Sequence, residues 1–141
     1  MAKHLKATGI QLAAMAMVLS VFSFLPETTS AQSRGVAVMM GGEADFDACG
    51  ITGKVVGLNP NGDNFLAVRR GPAGTYQMID KLHTGNNVYM CDQQGDWIGI
   101  VYDISGNEDC GVSSPVAAKQ AYSGNCKSGW VHRNYIRAIA G

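Results

Sequence analysis

The chain has no surplus of charge of either sign. Eleven lysines and arginines stand against 11 aspartates and glutamates, together only 16% of 141 residues, and no basic run occurs. Binding to nucleic acid draws on a cationic face that releases counterions from the phosphates. An anionic lipid surface asks for a similar field, so neither is an expected partner. A C-x-x-C pair and a close Cys/His cluster are also missing, which removes the usual thiol-redox and zinc spacings. No metal or cofactor is expected, and no internal repeat is present.

Long apolar runs are scarce too, with one near the start. Gly9 to Leu25 is apolar except for Gln11, Ser20 and Ser23, and it follows a short basic segment of Lys3, His4 and Lys6. Its 17 residues fall short of the roughly 20 that span a bilayer as a helix. Pro26 interrupts it, and Thr29-Ser30-Ala31 supplies small residues for a signal peptidase. That layout is a signal peptide over 1–31, cleaved after Ala31. No cysteine follows the site, so a lipoprotein signal does not fit. The expected product is periplasmic or secreted, keeps no stable membrane span, and at about 110 residues forms one domain. Its nine basic and ten acidic residues stay balanced.

All four cysteines, Cys49, Cys91, Cys110 and Cys126, lie beyond that site. In an oxidising compartment an even count reads as bridges. Three connectivities are possible. Cys110 with Cys126 is favoured because both sit in one loop-like segment, leaving Cys49 with Cys91, and closing the shorter loop is worth about 3 kcal/mol in the chain-entropy model.

Residues 32–48 mix Gly, small and acidic residues without period and read as a flexible leader. From Cys49 onward, short β-rich runs alternate with Gly, Asn, Asp and Pro clusters, as in a barrel or sandwich. The runs are Gly53–Leu58, Phe65–Arg69, Tyr76–Leu82, Asn87–Asp92, Trp97–Tyr102, Gly129–His132 and Arg137–Ala140. Each is shorter than a mean helix with its caps. Period-two alternation in Asn87–Asp92 and Trp97–Tyr102 puts one set of side chains in a core and the other on the opposite face. Gln94-Gly95 makes these two the clearest hairpin. Over 103–128 the rhythm is lost in a loop insertion, within which Pro115–Tyr122 could form a short helix.

Particular strings now carry more than period. Leu66-Ala67-Val68-Arg69-Arg70-Gly71-Pro72, then Tyr76, Ile79, Leu82 and Gly85, then Val88, Gly95-Asp96-Trp97, Gly129-Trp130-Val131 and Tyr135-Ile136 appear in order. Together they resemble the bacterial SH3 domain family, called SH3b, over Ile51 to Ile139. The resemblance implies an all-β fold, a small SH3-like, partly open barrel of five to seven short strands, in a domain spanning 49–141. It also implies a cell-wall target, peptidoglycan or its stem peptides. Ala67 and Arg70 depart from the family's commoner Asn and Ser, and the insertion is longer than the family's few residues there. Val68, Ile79, Leu82, Val88, Ile100 and Val131 have the size and spacing of a barrel interior.

Catalysis asks for a nucleophile and a base with perturbed pKa values. His83 and His132 lie beside no free cysteine and in no metal-ligand spacing, so no enzyme activity is expected. Asn59 to Asn64 is rich in oxygen ligands but lacks the order and the distant Glu of an EF-hand, and reads as a plain turn. Flat aromatic side chains with a few polar neighbours suit an extended peptide. The expected ligand-binding residues are therefore Tyr76, Trp97, His132, Asn134 and Tyr135, while Trp130 suits the filling or capping of the barrel at least as well. The competing expectation is a periplasmic interaction factor, or inhibitor of an envelope enzyme, that meets an envelope protein through the bridged loop. A pre-organised loop binds at lower entropic cost.

Overall fold

The structure is a computed structural model and describes residues 34–141; the signal-peptide reading of 1–31 lies outside the described residues. It is all β apart from one 3-10 turn, Arg133–Tyr135. The strands are β1 Met39–Met40, β2 Glu43–Asp47, β3 Ile51–Val55, β4 Leu66–Arg69, β5 Met78–Leu82 and β6 Asn87–Gln94. They continue with β7 Trp97–Tyr102, β8 Pro115–Val116, β9 Gln120–Ala121, β10 Lys127–His132 and β11 Ile136–Ala140. Seven of them form one antiparallel sheet in the order β11-β3-β6-β7-β10-β4-β5. No helix among the described residues is long and apolar enough to cross a membrane.

The hairpin read from the sequence is β6–β7. Gln94 pairs with Trp97 across a two-residue loop, and Gly95 takes φ 57°, a conformation that glycine adopts without a Cβ clash. Alternating side chains of the sheet meet in one cluster: Val55, Leu66, Val68, Leu82, Val88, Ile98, Ile100, Tyr102 and Val131, with Ile136 packed against them. All seven strands contribute, so the sheet curls around this core while β5 and β11 remain unpaired edges. Ile79 is the exception among the expected interior residues. Val68 pairs with Asp80 and Arg69 with Met78, so Ile79 falls in a bulge and stands 43% exposed.

Two expectations are corrected outside this sheet. The described part of the leader, 34–48, is folded: β1 pairs with β9, β2 pairs with β8, and Val38 and Ala48 are buried. Within the insertion, Pro115–Tyr122 forms β8 and β9 rather than a helix. The reason is the same in both cases. Each segment supplies the other's backbone partners, with Ala48 N–H donating to Ser114 O, Cys49 N–H to Val112 O and Tyr122 N–H to Val38 O. Paired to each other, neither needs helical bonds.

Together they build a second core on the outer face of the sheet. Ala48, Cys49, Val101, Cys110 and Val112 are buried there, with Met40, Tyr89, Cys91, Val116, Tyr122 and Cys126 against them. Both faces of β7 are therefore covered, Ile98, Ile100 and Tyr102 inward and Val101 outward. The favoured disulfides are present, Cys49–Cys91 and Cys110–Cys126, and both belong to this outer layer. Tyr122 Oη donates to Cys110 O at 3.0 Å and accepts from Cys126 N–H at 3.0 Å, bracing the second bridge from inside. Paired disulfides of this kind belong to a chain that folds in an oxidising compartment.

Candidate functional site

The cover on the outer face stops short of one end. Across β7 and β10 the register places Val101 opposite Ser128, Gly99 opposite Trp130 and Trp97 opposite His132. Val101 lies under the insertion. At the next row Trp130 is fully buried, its indole N–H donates to Val36 O at 2.7 Å, and a Cβ on Gly99 would lie 3.0 Å from Val38. Gly99 thus makes room for the 36–38 segment and the indole. Trp130 is structural, clamped between sheet and chain.

The row beyond it, Trp97 and His132, is left open. It forms one wall of a groove of about 370 Å³. The ring centroids of Trp97 and His132 are 5.5 Å apart and those of His132 and Tyr135 are 6.3 Å apart, both edge-to-face, the geometry that aromatic quadrupoles prefer. The lining also takes in Asn59, Asp63, Asn64 and Phe65 from the loop after β3, with Ala67 and Arg69 of β4.

Local backbone bonds fix these walls. His132 caps the 3-10 turn, its Nδ1 accepting from Asn134 N–H at 3.3 Å. Arg133 N–H donates to Asp96 O at the hairpin tip, and Val56 N–H donates to Tyr135 O. The Arg133 and Asp96 side chains add an exposed ion pair at 3.6 Å, of small energetic weight. In the loop after β3 Asn59 Oδ1 accepts from Asn61 N–H, Asn59 O from Gly62 N–H, and Asn64 O lies 3.0 Å from His83 Nδ1.

Of the five expected site residues, Trp97, His132 and Tyr135 meet in the groove. Tyr76 does not line it; its ring fills the space beside Gly71, where a Cβ would come within 2.5 Å, and its carbonyl accepts from Arg69 Nη1. Asn134 contributes its backbone N–H to the His132 cap, and its exposed side chain is not part of the lining. Sequence reasoning missed Asn59, Asp63, Asn64 and Arg69. The oxygen-rich Asn59–Asn64 string was the available signal for the first three, and the alternation of β4, which turns Arg69 away from buried Leu66 and Val68, was the signal for the last.

No family model, curated protein or solved structure matches this chain. The groove is therefore read from its own chemistry. Among the described residues no cysteine is free, and no group of three or more His, Cys, Asp or Glu is placed to hold a metal.

The perturbed titratable groups lie elsewhere. At the core's edge Tyr102 Oη donates to Asp80 Oδ2 at 3.0 Å, and Lys127 Nζ reaches the same oxygen at 2.9 Å. Burial and the Asp80 carboxylate push the Tyr102 hydroxyl well above its usual range. Burial raises Asp80, but bonds from Lys127, Lys81 N–H and Tyr102 outweigh it and leave the carboxyl below its ordinary value. Asp103 opens the insertion, and its carboxylate accepts from the Ser105 hydroxyl and from the N–H groups of Ser105, Asn107 and Glu108. The Ser105 hydroxyl and these amides hold it down at about 2.

Proposed function

We propose that this chain is an exported, non-catalytic binding module of the bacterial SH3 kind. Its target is peptidoglycan, gripped by the stem peptide in the groove of Trp97, His132 and Tyr135. The observation that carries the reading is that open aromatic row, left bare at the end of a face whose other rows are covered. Three flat side chains against a polar loop match the way extended peptides are held, with apolar contact for affinity and a few polar atoms for orientation. Export is supported by the two disulfides together with the N-terminal composition.

We read the insertion as cover rather than as a surface for an envelope partner. It buries Val101, Val112 and Tyr89 against the sheet, so deleting Ser105 to Ser128 strips a core instead of merely removing a contact.

The test is retention of the purified, disulfide-bonded protein on isolated sacculi at a salt concentration that suppresses charge effects. Trp97→Ala is expected to abolish retention while the melting temperature stays near that of the wild type. Failure of the wild-type protein to be retained, or full retention of Trp97→Ala, overturns the reading.

A further inference from the structure

Four residues along the groove keep hydrogen-bond donors that no local partner uses. His132 Nδ1 is occupied as the acceptor of Asn134 N–H, so the neutral ring carries its proton on Nε2. Asn59 Oδ1 is occupied by Asn61 N–H, leaving that side chain its two amide N–H groups. Arg69 spends Nη1 on Tyr76 O and retains the other donors of its guanidinium. The Trp97 indole N–H has no partner among the described residues, in contrast to that of Trp130, which is bound to Val36 O. Each of these four residues lines the groove. Each keeps at least one donor, and one of them is a permanent cation, while Asp63, Asn64 and Tyr135 add acceptors to the same lining.

From this inventory we infer that the groove receives a free carboxylate, as at the C-terminal end of a peptide, with Arg69 as its principal partner. A planar guanidinium matches a carboxylate with two parallel bonds, and such charge-assisted bonds are about twice as strong as neutral ones. Asp63 lines the same groove. It repels a second negative charge and favours an ammonium group farther along the same ligand. The ligand class is therefore a short peptide segment ending in a carboxylate and carrying a positive charge nearby. This rests on the groove being the binding site, and it specifies which part of a peptide enters.

The experiment uses tripeptides carrying one lysine, prepared as matched pairs that differ only in a terminal carboxylate or carboxamide. Binding to the disulfide-bonded protein is followed by tryptophan emission; of the two tryptophans, Trp130 is fully buried and Trp97 reports the groove. The carboxylate form is expected to bind about tenfold more tightly than the amide. Arg69→Gln is expected to make the two forms equal, while Arg69→Lys retains part of the preference as a point charge. Equal binding of acid and amide by the wild-type protein overturns the carboxylate inference. The groove reading then still stands if Trp97→Ala abolishes retention on sacculi. If Trp97→Ala, its peptide binding followed by titration calorimetry because the reporter is gone, changes neither peptide binding nor retention, both readings fail.

Discussion

Replacing Trp130 by phenylalanine tests how the chain over 34–40 is held to the sheet. The indole is fully buried and its N–H donates to Val36 O at 2.7 Å, while its far edge lies beside Gly99 under Val38. Phenylalanine keeps one ring and deletes three heavy atoms, two carbons and the donor nitrogen. The lost hydrogen bond is worth about 1 kcal/mol. The deleted atoms add about 2 kcal/mol, at roughly 0.8 kcal/mol per buried carbon. A total of about 3 kcal/mol lowers the melting temperature of a domain this size by roughly 10–20 °C. The assay pairs thermal unfolding of the oxidised protein with amide exchange. The amides of Met39 and Tyr122 are decisive, because they donate to Asp92 and to Val38 O and report the segment directly. Both are expected to exchange faster in the variant. A melting point within two or three degrees of the wild type, with those amides still protected, would refute the idea that the indole clamps this segment.

Other substitutions probe the two cores and the charge network. Gly129→Ala places a Cβ 2.5 Å from buried Val68 and 3.0 Å from the Arg69 carbonyl, so overpacking of about 1–3 kcal/mol or more is expected in denaturant unfolding. Asp80 has a folded pKa below its ordinary 3.8, so its contribution is present above that value and is lost as pH falls through the folded pKa. Asp80→Asn should flatten the acid limb of the stability profile, modestly because the partner Lys127 is largely in solvent; an unchanged limb would count against the network. Replacing both Cys110 and Cys126 by serine opens a bridge with a sequence separation of 16. The expected cost is about 3 kcal/mol, seen as faster exchange at Cys49 and Tyr122 before the β3–β6 amides respond.

How much of this could be read from the sequence depended on whether a feature was local. The β6–β7 hairpin was legible because Ile98, Ile100 and Tyr102 alternate and Gln94-Gly95 marks the turn. The same alternation placed Val101 on the opposite face, where it lies, without naming what packs there. Val101, Tyr89 and Cys91 are apolar on that face, a sign that something covers them. What covers them is Met40, Val112 and Val116, on two segments that are held by each other's backbone, so no local period announced them. In the groove, Trp97, His132 and Tyr135 were legible as aromatic or capping residues near turns. Arg69 and the Asn59–Asn64 loop join them through the register of β10 with β4, which depends on chain closure and not on neighbouring residues.

The placement of the sulfur atoms sets the bridges apart from the inner core. The inner cluster contains no cysteine, whereas all four belong to the outer layer. Pairing of Ile51 with Met90 within the β3–β6 ladder sets Cys49 and Cys91 side by side. The curled sheet can therefore form while the thiols are still reduced and then act as the template that selects their partners. The bridges fasten the second layer onto the sheet, and a mispaired thiol would have to oppose strand register to persist.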